Sequence, residues 1–131
     1  MTLLLDTSVC VPLINRTDPK LTKRLLEQAP PRVLLCSVVK AELYFGARNS
    51  ARVAENLDRV DRFCRAFASL PFDDDAASQY GSIRAQLKRE GRPIGANDLM
   101  IASIVLAADV KLVTRNLDEF RRVPGLPIEP W

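Results

Sequence analysis

The sequence predicts an α/β fold with a mostly parallel central sheet flanked by helices, on three observations. Short apolar runs of strand length stand at 2–5, 33–36 and 111–114. Stretches with apolar residues at helical spacing separate them. The first two runs pass directly into residues that start helices, the alternation expected of a parallel sheet covered on its faces. No repeat, linker or low-complexity segment interrupts the 131 residues. One domain spanning 1–131 is therefore expected, at a length where roughly two-thirds of the unfolded chain's surface is buried.

Thr2-Leu3-Leu4-Leu5 is a buried strand that ends at Asp6-Thr7-Ser8, and the helix after it, about 8–14, contains Pro12 and should be short or bent. Asp18-Pro19 places an N-cap before a first-turn proline, so a second helix runs through Leu21, Leu25 and Leu26 and ends near Pro30-Pro31. Val33-Leu34-Leu35-Cys36 is the next strand, and Ser37 can cap a helix carrying Val38, Val39, Leu43 and Tyr44 to about Arg48. Between 51 and 68, the residues Val53, Leu57, Val60, Cys64 and Phe67 fall on one helix face. Leu70-Pro71-Phe72 reads as a brief strand. Asp73-Asp74-Asp75 opens a helix through Tyr80, Ile83 and Leu87 that Gly91 stops. A strongly apolar helix over 98–108, a strand at 111–114, a short turn or helix at 118–122 and a proline-punctuated tail with an edge strand at Ile128 complete the chain.

Composition narrows the function. Apolar residues make up 47% and charged residues 27%, as in a soluble globular protein and unlike a disordered one. The longest apolar stretch, 99–108, is too short for a bilayer, which takes roughly 20 residues, so no membrane association and a cytoplasmic location are expected. Cys10, Cys36 and Cys64 lie far apart in apolar sequence and read as buried free thiols. A net charge of +3 is too small to indicate a polyanionic partner by itself. The absence of histidine says more: it excludes Ser-His-Asp and Cys-His nucleophile systems, histidine-liganded zinc and imidazole acid–base ribonucleases. Any catalysis must come from carboxylates or a metal.

Three carboxylates fit poorly on a plain surface. Asp6 ends the first strand, where open parallel sheets gather functional groups. Beside it, Thr7 and Ser8 can bond a metal-bound water or cap the following helix, capping being the commoner use. Glu42 has apolar neighbours on both sides, so its charge should be half exposed, paired or bound to a cation. Asp98 shares a helix face with Ile101, Ala102 and Val105, and either interacts with the helix N-terminus or serves a site. Three carboxylates in one crevice would repel one another without a divalent ion, and an oxygen-only donor set selects Mg²⁺ or Mn²⁺. Such ions assist phosphoryl chemistry, which makes a phosphodiester a natural substrate.

In order along the chain stand Leu5-Asp6-Thr7-Ser8, Ala41-Glu42-Leu43 with Gly46-Ala47, Gly91-Arg92-Pro93-Ile94-Gly95-Ala96-Asn97-Asp98-Leu99, and Leu112-Val113-Thr114-Arg115-Asn116-Leu117-Asp118-Glu119-Phe120. Together, over nearly the whole chain, these resemble PIN-domain nucleases, and the last two segments look like VapC toxins, notably those that cut initiator tRNA. The resemblance implies a single PIN-like domain and a Mg²⁺- or Mn²⁺-dependent endoribonuclease, homodimeric and held inactive by a VapB-type antitoxin. Asp6, Glu42 and Asp98 would be its metal-site residues. Many PIN domains carry a fourth acidic residue where this chain has Asn116, and Glu119 is the natural substitute. Thr7, Thr114 and Asn116 are candidates for positioning water or phosphate, with turn formation an equal explanation for the last two. Arg92, with Arg84, Lys88 and Arg89, could hold RNA phosphates, or form a solvated helix face. Aromatic residues are only 6% of the chain, so base stacking should not dominate recognition.

Two other readings remain at this level. One is a flavodoxin-like signalling domain with a phosphate-accepting aspartate, against which stands the lone Asp6 where an acidic pair is usual. The other is a catalytically silent PIN domain that binds RNA or a protein, suggested by Asn116.

Overall fold

In the computed structural model, which describes residues 1–131, five strands form one sheet. These are β1 (Leu3–Leu5), β2 (Val33–Cys36), β3 (Ala68–Leu70), β4 (Lys111–Val113) and β5 (Ile128–Glu129), in the order β3-β2-β1-β4-β5. Every pairing is parallel, with Leu3 opposite both Val33 and Lys111 and Leu5 opposite Val113. The expected edge strand at Ile128 is present and joins the sheet in the same direction as the rest. Seven helices cover it: α1 (Thr7–Asn15), α2 (Pro19–Leu26), α3 (Ser37–Arg48), α4 (Val53–Arg65), α5 (Asp74–Arg89), α6 (Ala96–Ala108) and α7 (Leu117–Phe120).

β1 is central, and all three of its leucines are buried because helices close both faces of the sheet. The core continues through Leu35, Val39, Leu112 and Phe120, the last carried inward by the single turn of α7. α6 is buried along Leu99, Ile101, Ala102, Ile104 and Val105. Its one polar residue there, Ser103, returns its hydroxyl to Leu99 O at 2.7 Å, which avoids an unpaired buried donor. Cys10, Cys36 and Cys64 are free and buried, as composition suggested. No helix is long and apolar enough to cross a membrane.

The structure moves several boundaries. The helical spacing over 51–68 outlasts the helix, which ends at Arg65; residues 68–70 leave it to pair with β2, Leu34 facing Ala68 and Cys36 facing Leu70. β3 thus lies two residues before the expected 70–72 strand, because the open edge of β2 needs partners and Pro71 has no N–H to donate. α2 stops at Leu26, and Pro30–Arg32 form a separate 3-10 turn. α6 starts at Ala96, which puts Asp98 in its first turn. Thr114 falls just beyond β4.

The flavodoxin-like alternative is overturned by the strand order, since that class runs 2-1-3-4-5. Here the chain walks from β1 out to β3, then returns to the other side of β1 with β4. The crevice beyond the carboxyl ends of β1 and β4 is therefore the switch point at which open α/β sheets bind ligands.

Candidate active site at the switch point

Asp6 follows β1 and Thr114 follows β4, so the two adjoining strand ends carry them to the crevice together. Asp6 is only 3% exposed. Its Oδ2 accepts hydrogen bonds from Thr114 Oγ1 at 2.7 Å and Ser8 Oγ at 2.8 Å, while its main-chain N–H donates to Val113 O at 2.9 Å. Donors of this kind satisfy the oxygen of a deeply buried carboxyl. Thr114 is itself fully buried, and its hydroxyl also accepts the Asn116 N–H at 2.9 Å.

Thr7 and Ser8 do not cap α1. Asp6 is the N-cap residue and makes no side-chain cap bond. Thr7 Oγ1 instead donates to Glu42 Oε1 at 2.7 Å, and Ser8 bridges Asp6 and Thr114. The capping expectation fails because the first-turn hydroxyls of α1 face the carboxylates arriving from α3 and β1. Glu42 is half-buried on α3, which follows β2 without a break and so delivers its carboxylate to the same edge of the sheet.

Asp98 enters from the first turn of α6, whose N-cap is Gly95 with no side-chain cap. Asn97 lies inside that turn and makes no cap. Asp98 Oδ2 accepts the side-chain amide of Asn116 at 3.0 Å. Burial, a hydrogen bond to Glu119 and the charges of Asp6, Glu119 and Glu42 push the Asp98 carboxyl up to about 8. Its partner Glu119 is held below the usual carboxylate range, chiefly by that same bond. Each carboxyl thus shifts the other, Asp98 upward and Glu119 downward. Glu119 Oε2 is buried with no hydrogen-bond partner, and a side chain at Gly95 would meet it at 3.9 Å.

Four carboxylates from four elements, Asp6, Glu42, Asp98 and Glu119, are thus gathered with Thr7, Thr114 and Asn116. Ser8 belongs to the network although capping is the commoner use of a hydroxyl in its setting; the signal is its place two residues after Asp6 in the first helical turn. Arg92 stays apart, exposed and engaged only through its main-chain N–H to Leu87 O. Arg84 is committed to Tyr80, donating to its hydroxyl at 3.1 Å.

The donor set suits a hard divalent cation: every candidate ligand is oxygen, one carboxyl is pushed upward by its acidic neighbours, and one buried carboxylate oxygen has no donor. No three acidic side chains converge in ligating geometry, an arrangement that repulsion among bare carboxylates accounts for.

The PIN-domain family model matches residues 3–126. The chain is 35% identical to Ribonuclease VapC2 of Rickettsia felis, over 100% of this chain and 98% of that protein. It is 36% identical to the tRNA(fMet)-specific endonuclease VapC of Salmonella typhimurium, over 98% of this chain and 96% of that protein. The structure is similar to DNA-bound VapBC from Salmonella typhimurium, with a TM-score of 0.94 at 35% identity, over 100% of this chain and 98% of that one.

Proposed function

Because the chain belongs to the PIN-domain family, in its VapC branch, we propose that it is a metal-dependent endoribonuclease that hydrolyses phosphodiester bonds in tRNA, and the toxin of a VapBC-type pair. The observation that carries the reading is the crowding at Asp98, whose carboxyl is raised to about 8 by burial and three neighbouring acids at a switch point. Such perturbed groups in a crevice mark functional sites more often than structural ones. Initiator tRNA is the first substrate to test, given the similar enzyme from Salmonella typhimurium.

Asp6, Glu42 and Asp98 would hold Mg²⁺, or Mn²⁺ in its place. When bound, the ion supplies charge neutralisation at the phosphate and a water of lowered pKa. Thr114 and Ser8 hold Asp6 in place, Thr7 holds Glu42, and Asn116 holds Asp98. Glu119, held below the usual carboxylate range beside Asp98, adds negative charge that favours the cation, and the attacking water gives its proton to solvent. Attack in line on phosphorus breaks the bond to the 3′ oxygen, which leaves as a hydroxyl after taking a proton from solvent, and the other fragment carries a 5′-phosphate.

Excess negative charge in the crevice supports an inhibitory partner that presents a basic side chain there. A groove of about 220 Å³ runs from Glu42 past Val11, Ile14, Leu43 and Val60, giving an antitoxin segment apolar footing beside Glu42. A second copy of the chain is the remaining partner implied by the resemblance, and Phe45, 70% exposed on α3, supports such an interface; sedimentation at several concentrations measures it. The nuclease reading is tested by incubating total tRNA with the protein in Mg²⁺, Mn²⁺ or EDTA and mapping product ends. Metal-dependent cuts with 5′-phosphate ends are expected. Folded, antitoxin-free protein that cuts no RNA in either metal would leave the silent RNA-binding domain as the better account.

A further inference from the structure

Thr114, Arg115 and Asn116 form the turn that leaves β4, and they engage the site in different ways. The side chains of Thr114 and Asn116 bond Asp6 and Asp98, so one turn of three residues touches carboxylates from two separate elements. Arg115 contributes its main-chain N–H, which donates to Ser8 Oγ at 3.0 Å. Its side chain is tied elsewhere: Nε donates to the main-chain oxygen of Trp131 at 3.0 Å, and the guanidinium pairs with Asp18.

Both anchors are themselves held. Asp18 is the N-cap of α2, and its other oxygen accepts the N–H groups of Lys20 and Leu21. The Trp131 indole N–H donates to Glu129 Oε2 at 2.7 Å, and Arg24 of α2 lies over its ring, 5.6 Å from the centroid. Glu129 in turn pairs with Lys111 at the start of β4. A planar guanidinium can bond two partners in fixed directions at once, which a lysine ammonium does less well. Arg115 therefore joins the β4 turn to the start of α2 and to the tail beyond β5, neither of which reaches the acidic crevice.

We propose that Arg115 is a positioning residue that clamps the 114–116 turn, so that Thr114 and Asn116 keep Asp6 and Asp98 oriented toward the crevice where a divalent cation would bind. The side chain is 40% exposed, and surface pairs of this kind add little to global stability. Its effect is local. Released, the turn shifts under repulsion among the acids, and both carboxylates lose their preset orientation.

The proposal rests on the divalent-cation reading of the site, so the experiment has one arm that involves no metal. Mn²⁺ affinity is measured by calorimetry for the wild-type chain, Arg115→Gln, Arg115→Lys, Asp18→Asn and the Arg115→Gln/Asp18→Asn double variant. Asparagine keeps the α2 cap and removes only the charge. Amide hydrogen exchange is followed in the metal-free proteins. Arg115→Gln should weaken Mn²⁺ binding about 3- to 10-fold, below or at the low end of the loss typical for partners that orient a ligand directly. Tm should move by about 4 °C at most. Lysine should restore part of the affinity, and the double variant should be no worse than the worse single one. The Arg115 and Asn116 amides should exchange faster while those of Leu5 and Val113 do not. Unchanged exchange at the turn overturns the clamp, as does unchanged affinity in a protein whose wild type binds Mn²⁺. A wild type that binds no Mn²⁺ defeats the metal reading, and the exchange arm then decides the clamp alone.

Discussion

Asn116 donates its side-chain amide to Asp98 Oδ2 at 3.0 Å. The residue standing where many PIN domains carry a further acid is thus a hydrogen-bond donor to the acid most crowded by its neighbours. Glu119, three residues on in α7, also bears on Asp98 and helps to raise its carboxyl. The turn thus supplies a donor to Asp98 and α7 supplies one acid, where an aspartate at 116 would have added a second charge.

Restoring the acid should expose this trade. Asn116→Asp replaces a donor by a fifth carboxylate, so the metal-free protein should lose about 1–3 kcal/mol near neutral pH, and Mn²⁺ should recover more stability than it does in the wild type. Thermal unfolding in EDTA and in Mn²⁺ reads both. An unchanged gap between the two conditions would mean that Asn116 does not face the cation.

Asp98→Asn separates chemistry from folding. The amide keeps the shape of the side chain and removes the carboxyl that its acidic neighbours raise. tRNA cleavage should fall at least about 100-fold, as for loss of a metal-orienting group or more, while Tm at pH 7 stays level or rises. Full cleavage by a folded variant would remove Asp98 from the reaction.

The metal-free protein should also lose stability as pH rises. The Asp98 carboxyl stands at about 8 in the folded chain, against an ordinary 3.8. Between those values the folded state binds more protons than the unfolded one, so this group's contribution is complete below about pH 4 and declines through the window up to about 8. Glu119, shifted downward, has the opposite sign: its contribution is present above its ordinary 4.5 and is lost only in stronger acid, outside that window. Tm in EDTA should therefore be lower at pH 8 than at pH 5, and Asp98→Asn should flatten the slope. Metal binding near pH 7 should release about one proton, measurable by calorimetry in buffers of different ionisation enthalpy. A wild-type slope equal to that of Asp98→Asn would refute the raised carboxyl.

Much of this was legible in the chain. The leucines of β1 and the valine–leucine run of β2 are apolar without interruption because both faces are covered, and that pattern alone marks central parallel strands. Asp6, Glu42 and Asp98 stood out because each is a charge set among apolar neighbours. β3 was misplaced because the apolar period of α4 continues through Phe67 past the end of the helix, and what ends the helix is a hydrogen-bonding edge on β2, distant in sequence. For the same reason Ser8 and Arg115 were undervalued. Their partners, Thr114, Asp18 and Trp131, lie 16 to 106 residues away, and a hydroxyl in the first turn of a helix has a ready local use as a cap.

Two threonine-to-valine changes should differ in a way that measures how deeply the site is buried. Thr114 is 0% exposed and serves two partners, donating to Asp6 and accepting from Asn116 N–H. Valine there leaves Asp6 with Ser8 as its only side-chain donor and leaves a main-chain N–H without an acceptor. The cost should be about 1–3 kcal/mol. Thr7 serves only Glu42, which is half-buried and can recover a water. Thr7→Val should therefore cost about 0.5–1.5 kcal/mol and act mainly on cleavage, through a Glu42 free to turn away from the crevice. Urea denaturation of the two variants beside the wild type checks the order. Equal losses would mean that water already reaches Thr114, and the buried, preorganised Asp6 on which the site depends would then be lost with it.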